Sequence, residues 1–224
     1  MEGEAAHHLG RVLRAQTGQL YELSDGEQVW LGRIENVTRD RIQFALVEQL
    51  PAFHPSVDVT LLLAVVKFDA FEWAIEKATE LGVSTIVPLA AERSEKALLA
   101  AAAKREERWK KILLESSQQS RRVRLPVLAG LAKPDSAFAS RNDDALGVLL
   151  SERPTAASLR KVLQGQQAAS ATLAIGPEGG WTDAEFAAAR ANGFQEASLG
   201  RRILRTETAV VTALASLNFA LGDE

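Results

Sequence analysis

The chain has 224 residues, of which 46% are hydrophobic and 25% charged, with a net charge of −3 and no cysteine. That is apolar material for one or two domains with real cores, and it excludes disulfides, thiolate metal sites and a cysteine nucleophile. Met1-Glu2-Gly3-Glu4 is acidic where a secretion signal is basic, and the longest apolar run, Val59 to Val66, is too short to cross a bilayer, so a cytoplasmic location is expected.

The charge is unevenly spread. Residues 1–56 carry five Lys/Arg and eight Asp/Glu, whereas the rest carries 21 of each, including Arg121-Arg122-Val123-Arg124 and Arg201-Arg202-Ile203-Leu204-Arg205. Such clusters bind phosphate locally even when the whole chain is acidic, or they are solvated helix ends.

Residues 7–50 read as short strands between turns, at 19–23, 29–34 and 41–47, with Ser24-Asp25-Gly26 as one turn. This predicts a small β-barrel. Leu50-Pro51 through His54-Pro55 reads as a linker, since closely spaced prolines resist regular structure. Beyond it the pattern changes to α/β. The continuous apolar run from Val59 suits a strand buried on both faces of a parallel sheet. The spacing of Phe71, Ala74, Ile75, Ala78 and Leu81 predicts a helix over 70–81, stopped by Gly82. Further strands are expected at 85–89, 145–150, 171–175 and 196–199, and a long helix at 104–119 with Trp109 as a packing anchor. Strand alternating with helix means a mostly parallel sheet.

Two segments carry chemistry. Ile175-Gly176-Pro177-Glu178-Gly179-Gly180 leaves a buried strand and enters a helix through Thr182-Asp183-Ala184-Glu185, a capping-box pattern. Ligands of open α/β sheets bind at the carboxyl ends of strands. The glycines allow close approach to the backbone, while Glu178 and the lack of a Lys-Ser or Lys-Thr ending disfavour phosphate. A tight turn without a ligand explains the same glycines. The second segment, Leu199-Gly200-Arg201-Arg202-Ile203-Leu204-Arg205-Thr206-Glu207-Thr208-Ala209, also runs from strand to helix, with Thr206 as the expected cap. Its arginines beside an apolar pair suit either a ligand loop near an anionic substrate or a basic turn before a core helix. Glu76 and Glu80 share a helix face and read as a solvated stripe, with Glu72, Glu76 and Lys77 forming local pairs. His7, His8 and His54 have no metal-ligand company, so no metal is expected.

Together the two segments resemble the RsmE-type enzymes, the small-subunit ribosomal RNA uridine-N3 methyltransferases of the SPOUT superfamily. His7-His8-Leu9-x-x-Val12-Leu13-Arg14, Trp73 to Val83, Glu92-Arg93-Ser94 and Arg108-Trp109-x-x-Ile112 extend the likeness over nearly the whole chain. The stretch Glu115 to Arg122 departs from the family's run at Gln118 and Arg121, and Ala70 stands where the family has a basic residue.

The resemblance implies a PUA-like RNA-binding β-barrel over 1–55, and over 56–224 a SPOUT α/β domain with a mostly parallel sheet and a deep trefoil knot. It implies a homodimer acting on 16S ribosomal RNA with S-adenosyl-L-methionine as cofactor. The donor is expected on Leu149, Leu150, Ser151, Ile175, Gly176, Pro177, Gly179, Gly180, Leu199, Gly200, Ile203, Leu204 and Thr208. Arg205, Glu178 and Glu207 are the catalytic candidates. His8, Arg11, Arg14, Arg93, Arg121, Arg122, Arg201 and Arg202 are the expected RNA contacts. A non-catalytic RNA-binding protein on the same fold, or a ribose 2′-O methyltransferase, are the alternatives.

Overall fold

The computed structural model describes residues 1–53 and 55–222, so His54 of the expected linker lies outside the described residues. The chain divides into two compact units, Met1–His54 and Pro55–Glu224.

The first unit holds the antiparallel strands β1 (Leu20–Ser24), β2 (Val29–Val37) and β3 (Ile42–Leu50) in the order β1-β2-β3. Asp25 closes the first turn. Its carboxylate accepts from the backbone N–H groups of Gln28 (2.7 Å) and Glu27 (2.9 Å), which hold its pKa below the ordinary value. Residues 7–12, read above as part of a strand region, are helical instead: α1 (Gly3–His7) runs into a π turn at His8–Val12. Ala6 and Leu9, three residues apart, are the buried positions there, a helical spacing that strand alternation does not capture. They pack with Ala15, Ile34 and Ile42 in a small core.

The second unit carries β4 (Asp58–Ala64), α2 (Phe68–Glu80), β5 (Thr85–Leu89), α3 (Lys96–Ala102), α4 (Glu106–Gln119), β6 (Val127–Leu128) and α5 (Pro134–Ala139). After these come β7 (Leu146–Leu150), β8 (Ala157–Ser158), α6 (Leu159–Leu163), β9 (Ser170–Ile175), α7 (Asp183–Ala191), β10 (Gln195–Ser198) and α8 (Thr206–Leu221). The sheet order is β6-β5-β4-β9-β7-β10-β8, and every pairing is parallel. Successive strand residues point to opposite faces. Leu61, Leu63, Leu173, Ile175 and Val148 therefore face one core with α2, α4, α6 and α8, while Leu62, Ala64, Ala174 and Leu149 face another with α5 and α7. Both faces are covered, which is why these strands read as unbroken apolar runs.

Several details differ from the sequence reading. The helix expected over 104–119 begins at Glu106; Ala103–Arg105 is a 3₁₀ turn, and the Ala-rich stretch before it is α3. Glu72 does not pair along its own helix. It is buried and joins α4 through Arg108 (2.7 Å) and Arg105 (3.3 Å). Lys77 bridges Glu76 (2.7 Å) and Glu80 (2.8 Å), so those carboxylates are structural, and their hydrogen bonds raise its pKa, that to Glu76 first. Trp109 packs on Phe71, with ring centroids 4.5 Å apart. Among the described residues no helix is long and apolar enough to cross a membrane.

Candidate functional site

Strands β5, β9, β7 and β10 all run in one direction, so the loops leaving their carboxyl ends gather on one edge of the sheet. There they form a cleft of about 620 Å³, within the roughly 300–1,000 Å³ usual for small-molecule sites. Its walls are Leu150–Arg153 after β7, Ile175–Trp181 after β9, Ser198–Thr206 after β10, and Arg93, with Asp183, Phe186 and Ala209 completing it.

The loop after β9 is built from the inside. Trp181 is buried, donates its indole N–H to the Leu150 carbonyl (3.0 Å) and sits edge-on to Phe138. Its ring lies under Gly176, where a Cβ would come within 2.9 Å of it. The glycine at 176 is thus required by the tryptophan packed against it. Pro177 and Gly180 close a turn through the Gly180 N–H and the Pro177 carbonyl (2.8 Å), and Gly180 adopts φ +68, a left-handed conformation that suits glycine. Arg93 donates to the Gly179 carbonyl (2.8 Å).

Glu185 fixes the exit of this loop. One carboxylate oxygen accepts from the Thr182 N–H (2.7 Å) and hydroxyl (2.9 Å), completing the capping box, and the other accepts from the Glu92 N–H (2.9 Å). A single buried carboxylate therefore ties the β5 loop to the head of α7. The sequence pattern reveals the cap but not this long-range tie, because its partner lies 93 residues away.

The loop after β10 is open. The Ser198 hydroxyl holds Gly200 through that residue's N–H and C=O (3.1 Å each), and Gly200 takes φ +122. Arg201, Arg202 and Arg205 are exposed, and Ile203 is 79% exposed. The cap of α8 is Arg205, with ψ 154, not Thr206, which is buried as the first helical residue. The extended backbone breaks at 205, one residue before the expected position.

Most of the expected donor residues meet at this cleft: Leu150, Ser151, the 175–180 loop, Leu199, Gly200, Ile203 and Leu204, with Arg205, Glu178, Arg93, Arg201 and Arg202 beside them. Three do not line it. Leu149 points into the core on the α7 side, and Glu207 and Thr208 lie along α8. Among the expected RNA contacts, His8, Arg11 and Arg14 are exposed in the first unit and Arg121 is exposed after α4. Arg122 is committed elsewhere. It donates to the carbonyls of Thr79 and Val83 (2.8 Å each), closing the end of α2, and burial pushes its guanidinium pKa down. Glu152, Arg153, Trp181, Asp183 and Phe186 are cleft residues that the sequence does not single out. The capping box and the strand end at Leu150 are the signals nearest to them. Among the described residues no three acidic or histidine side chains gather as a metal site would require.

The lining combines backbone and apolar groups with arginines, two glutamates and Asp183. A model of the RNA methyltransferase domain matches residues 54–218, and one of the RNA methyltransferase PUA domain matches residues 2–47. The chain is 38% identical to the ribosomal RNA small subunit methyltransferase E of Synechocystis, over 96% of this chain and 71% of that protein. It is 30% identical to the Aquifex aeolicus protein of the same name, over 96% and 91%. The crystal structure of ribosomal RNA small subunit methyltransferase E from Neisseria gonorrhoeae, bound to S-adenosyl methionine, superposes with TM-score 0.91 at 28% identity, over 100% of this chain and 92% of that one. A Legionella pneumophila methyltransferase in complex with the same cofactor gives 0.88 at 31% identity, over 99% and 91%.

Proposed function

The chain belongs to the ribosomal RNA small subunit methyltransferase E family, and on that premise we propose that it methylates N3 of a uridine in 16S ribosomal RNA with S-adenosyl-L-methionine as donor. The observation that carries this is the cleft, where loops from neighbouring parallel strands present backbone groups and apolar side chains without a phosphate cradle. When bound, the donor supplies an electrophilic methyl group on a sulfonium.

The chain's own residues position and deprotonate. The backbone of the 175–180 loop, with Leu150, Leu199 and Leu204, holds the nucleoside part, and Ile203 and Leu204 give it an apolar wall. Uridine N3 carries a proton that leaves on transfer. Glu178, exposed on the cleft wall, is the acceptor better placed than Glu207, which lies outside the lining. Arg205 stabilises the negative charge that develops on the uracil ring or holds a neighbouring phosphate.

Residues 1–55 serve as an RNA-docking module through His8, Arg11 and Arg14, in keeping with the matched PUA model. The trefoil knot, the homodimer and the cytoplasmic setting belong to the same reading. The 93% exposure of Phe219 on α8 leaves an apolar side chain for a partner chain to cover.

The test is mass spectrometry of nucleosides from small-subunit RNA incubated with the protein and donor. N3-methyluridine is expected. A ribose 2′-O-methyl product, or none, contradicts the proposal.

A further inference from the structure

One charged pair at the cleft belongs to neither glycine-bearing loop. Arg153, three residues past the end of β7, pairs with Asp183 at the start of α7, and its guanidinium carbon lies 3.6 Å from the centroid of the Phe186 ring. All three line the cleft, as does Glu152.

The loop that carries Arg153 is fixed. The Ser151 N–H donates to the Ala197 carbonyl (2.8 Å). The Ser151 hydroxyl donates to Glu196 (2.6 Å) and accepts from the Arg153 N–H (3.0 Å). The aromatic face then holds the cation in place.

Its acidic partner is of another kind. The Asp183 side chain is 96% exposed, against 37% for Arg153. An ion pair with so wet a carboxylate contributes little, so a second carboxylate can replace it at small cost. An arginine is suited to that exchange, because its planar fork takes a carboxylate through two parallel hydrogen bonds. The amino-acid arm of the methyl donor ends in a carboxylate and an ammonium, and adjacent Arg153 and Glu152 offer the complementary pair.

We propose that Arg153 binds the carboxylate of the donor's amino-acid arm, with Asp183 occupying the guanidinium until the donor arrives. This rests on the cleft being the methyl-donor site. It makes Arg153 the residue that distinguishes donors bearing the arm from nucleosides that lack it.

Calorimetric titration of the full chain with S-adenosylhomocysteine, which has the arm, and 5′-methylthioadenosine, which lacks it, tests the proposal. The wild type is expected to prefer the first by at least tenfold. Arg153→Gln should lose most of that preference while its affinity for 5′-methylthioadenosine stays within twofold. Asp183→Asn should bind S-adenosylhomocysteine as well as the wild type or better, because it removes only the competitor.

Three results overturn the proposal. In the first, Arg153→Gln keeps the preference, as it would if the guanidinium served RNA phosphate instead. In the second it weakens both ligands equally, and in the third Asp183→Asn reproduces its loss; either marks the pair as a structural tie. If the wild type binds neither ligand, the donor-site reading itself fails, a result distinct from these.

Discussion

The loop after β9 and the loop after β10 line the same cleft, but the first is pinned on every side and the second only at its root. The first has Trp181 beneath it, Arg93 on its carbonyl, a closed turn at Pro177–Gly180 and Glu185 at its exit. The second has the Ser198–Gly200 hydrogen bonds, and then a run of exposed arginines with Ile203 between them. A small donor must meet a shape that is already formed, because ordering a loop on binding costs affinity. A folded RNA is met better by charged side chains that adapt, since phosphate contacts position the partner without demanding one fixed shape. On the proposed reading, the pinned loop and the apolar residues of the open loop hold the donor, while the exposed arginines of the open loop meet the RNA.

Four alanine variants probe that contrast, and the two in the pinned loop and its supports should disturb the fold most. Glu185→Ala leaves the Glu92 and Thr182 N–H groups unpaired and removes the carboxylate half of the capping box, while the Thr182 hydroxyl still accepts from the backbone N–H at 185. A loss of about 3 kcal/mol is expected, seen as a melting temperature lower by roughly 6–12 °C, with Glu185→Gln recovering part of it. Gly176→Ala pushes a methyl into the Trp181 ring, expected to cost about 2 kcal/mol and to weaken donor binding in calorimetry. A Gly176→Ala protein with wild-type stability would mean that the ring yields and the loop is not pinned.

Arg205→Ala should leave stability within about 0.5 kcal/mol and donor affinity unchanged, yet lower kcat by about 100-fold in a methyl-transfer assay. Unchanged turnover would remove Arg205 from the chemistry. Arg201→Ala with Arg202→Ala should affect only RNA binding, flattening its salt dependence by roughly 0.7–0.9 in slope for each phosphate that is no longer neutralised. A slope equal to that of the wild type would show that the open loop does not meet the RNA backbone.

The sequence showed the plan of the site better than its supports. Both loops were legible because each follows an apolar strand and precedes a helix, and strand ends are where such sheets bind ligands. The glycines were legible as a pattern, but their causes were not. Gly176 reads as room for a ligand, and in the fold it is room for Trp181. Arg122 reads as part of a basic cluster, and in the fold it closes α2. The Arg153, Asp183 and Phe186 group leaves no local signal, since the arginine lies 30 residues from its aspartate. Contacts of that reach are made by the sheet order, which periodicity does not reveal. In the first unit the opening helix is not legible because its buried face consists of little more than Ala6 and Leu9, too few positions to establish a period.

Whether the pinned loop holds the donor while Arg201 and Arg202 serve only the RNA is decided by calorimetric titration with S-adenosylhomocysteine. One binding event per wild-type chain is expected, with an affinity unaltered by Arg201→Ala with Arg202→Ala and a loss of at least tenfold in Gly176→Ala. No binding to the wild type, or an equal loss in both variants, would contradict this division of the cleft.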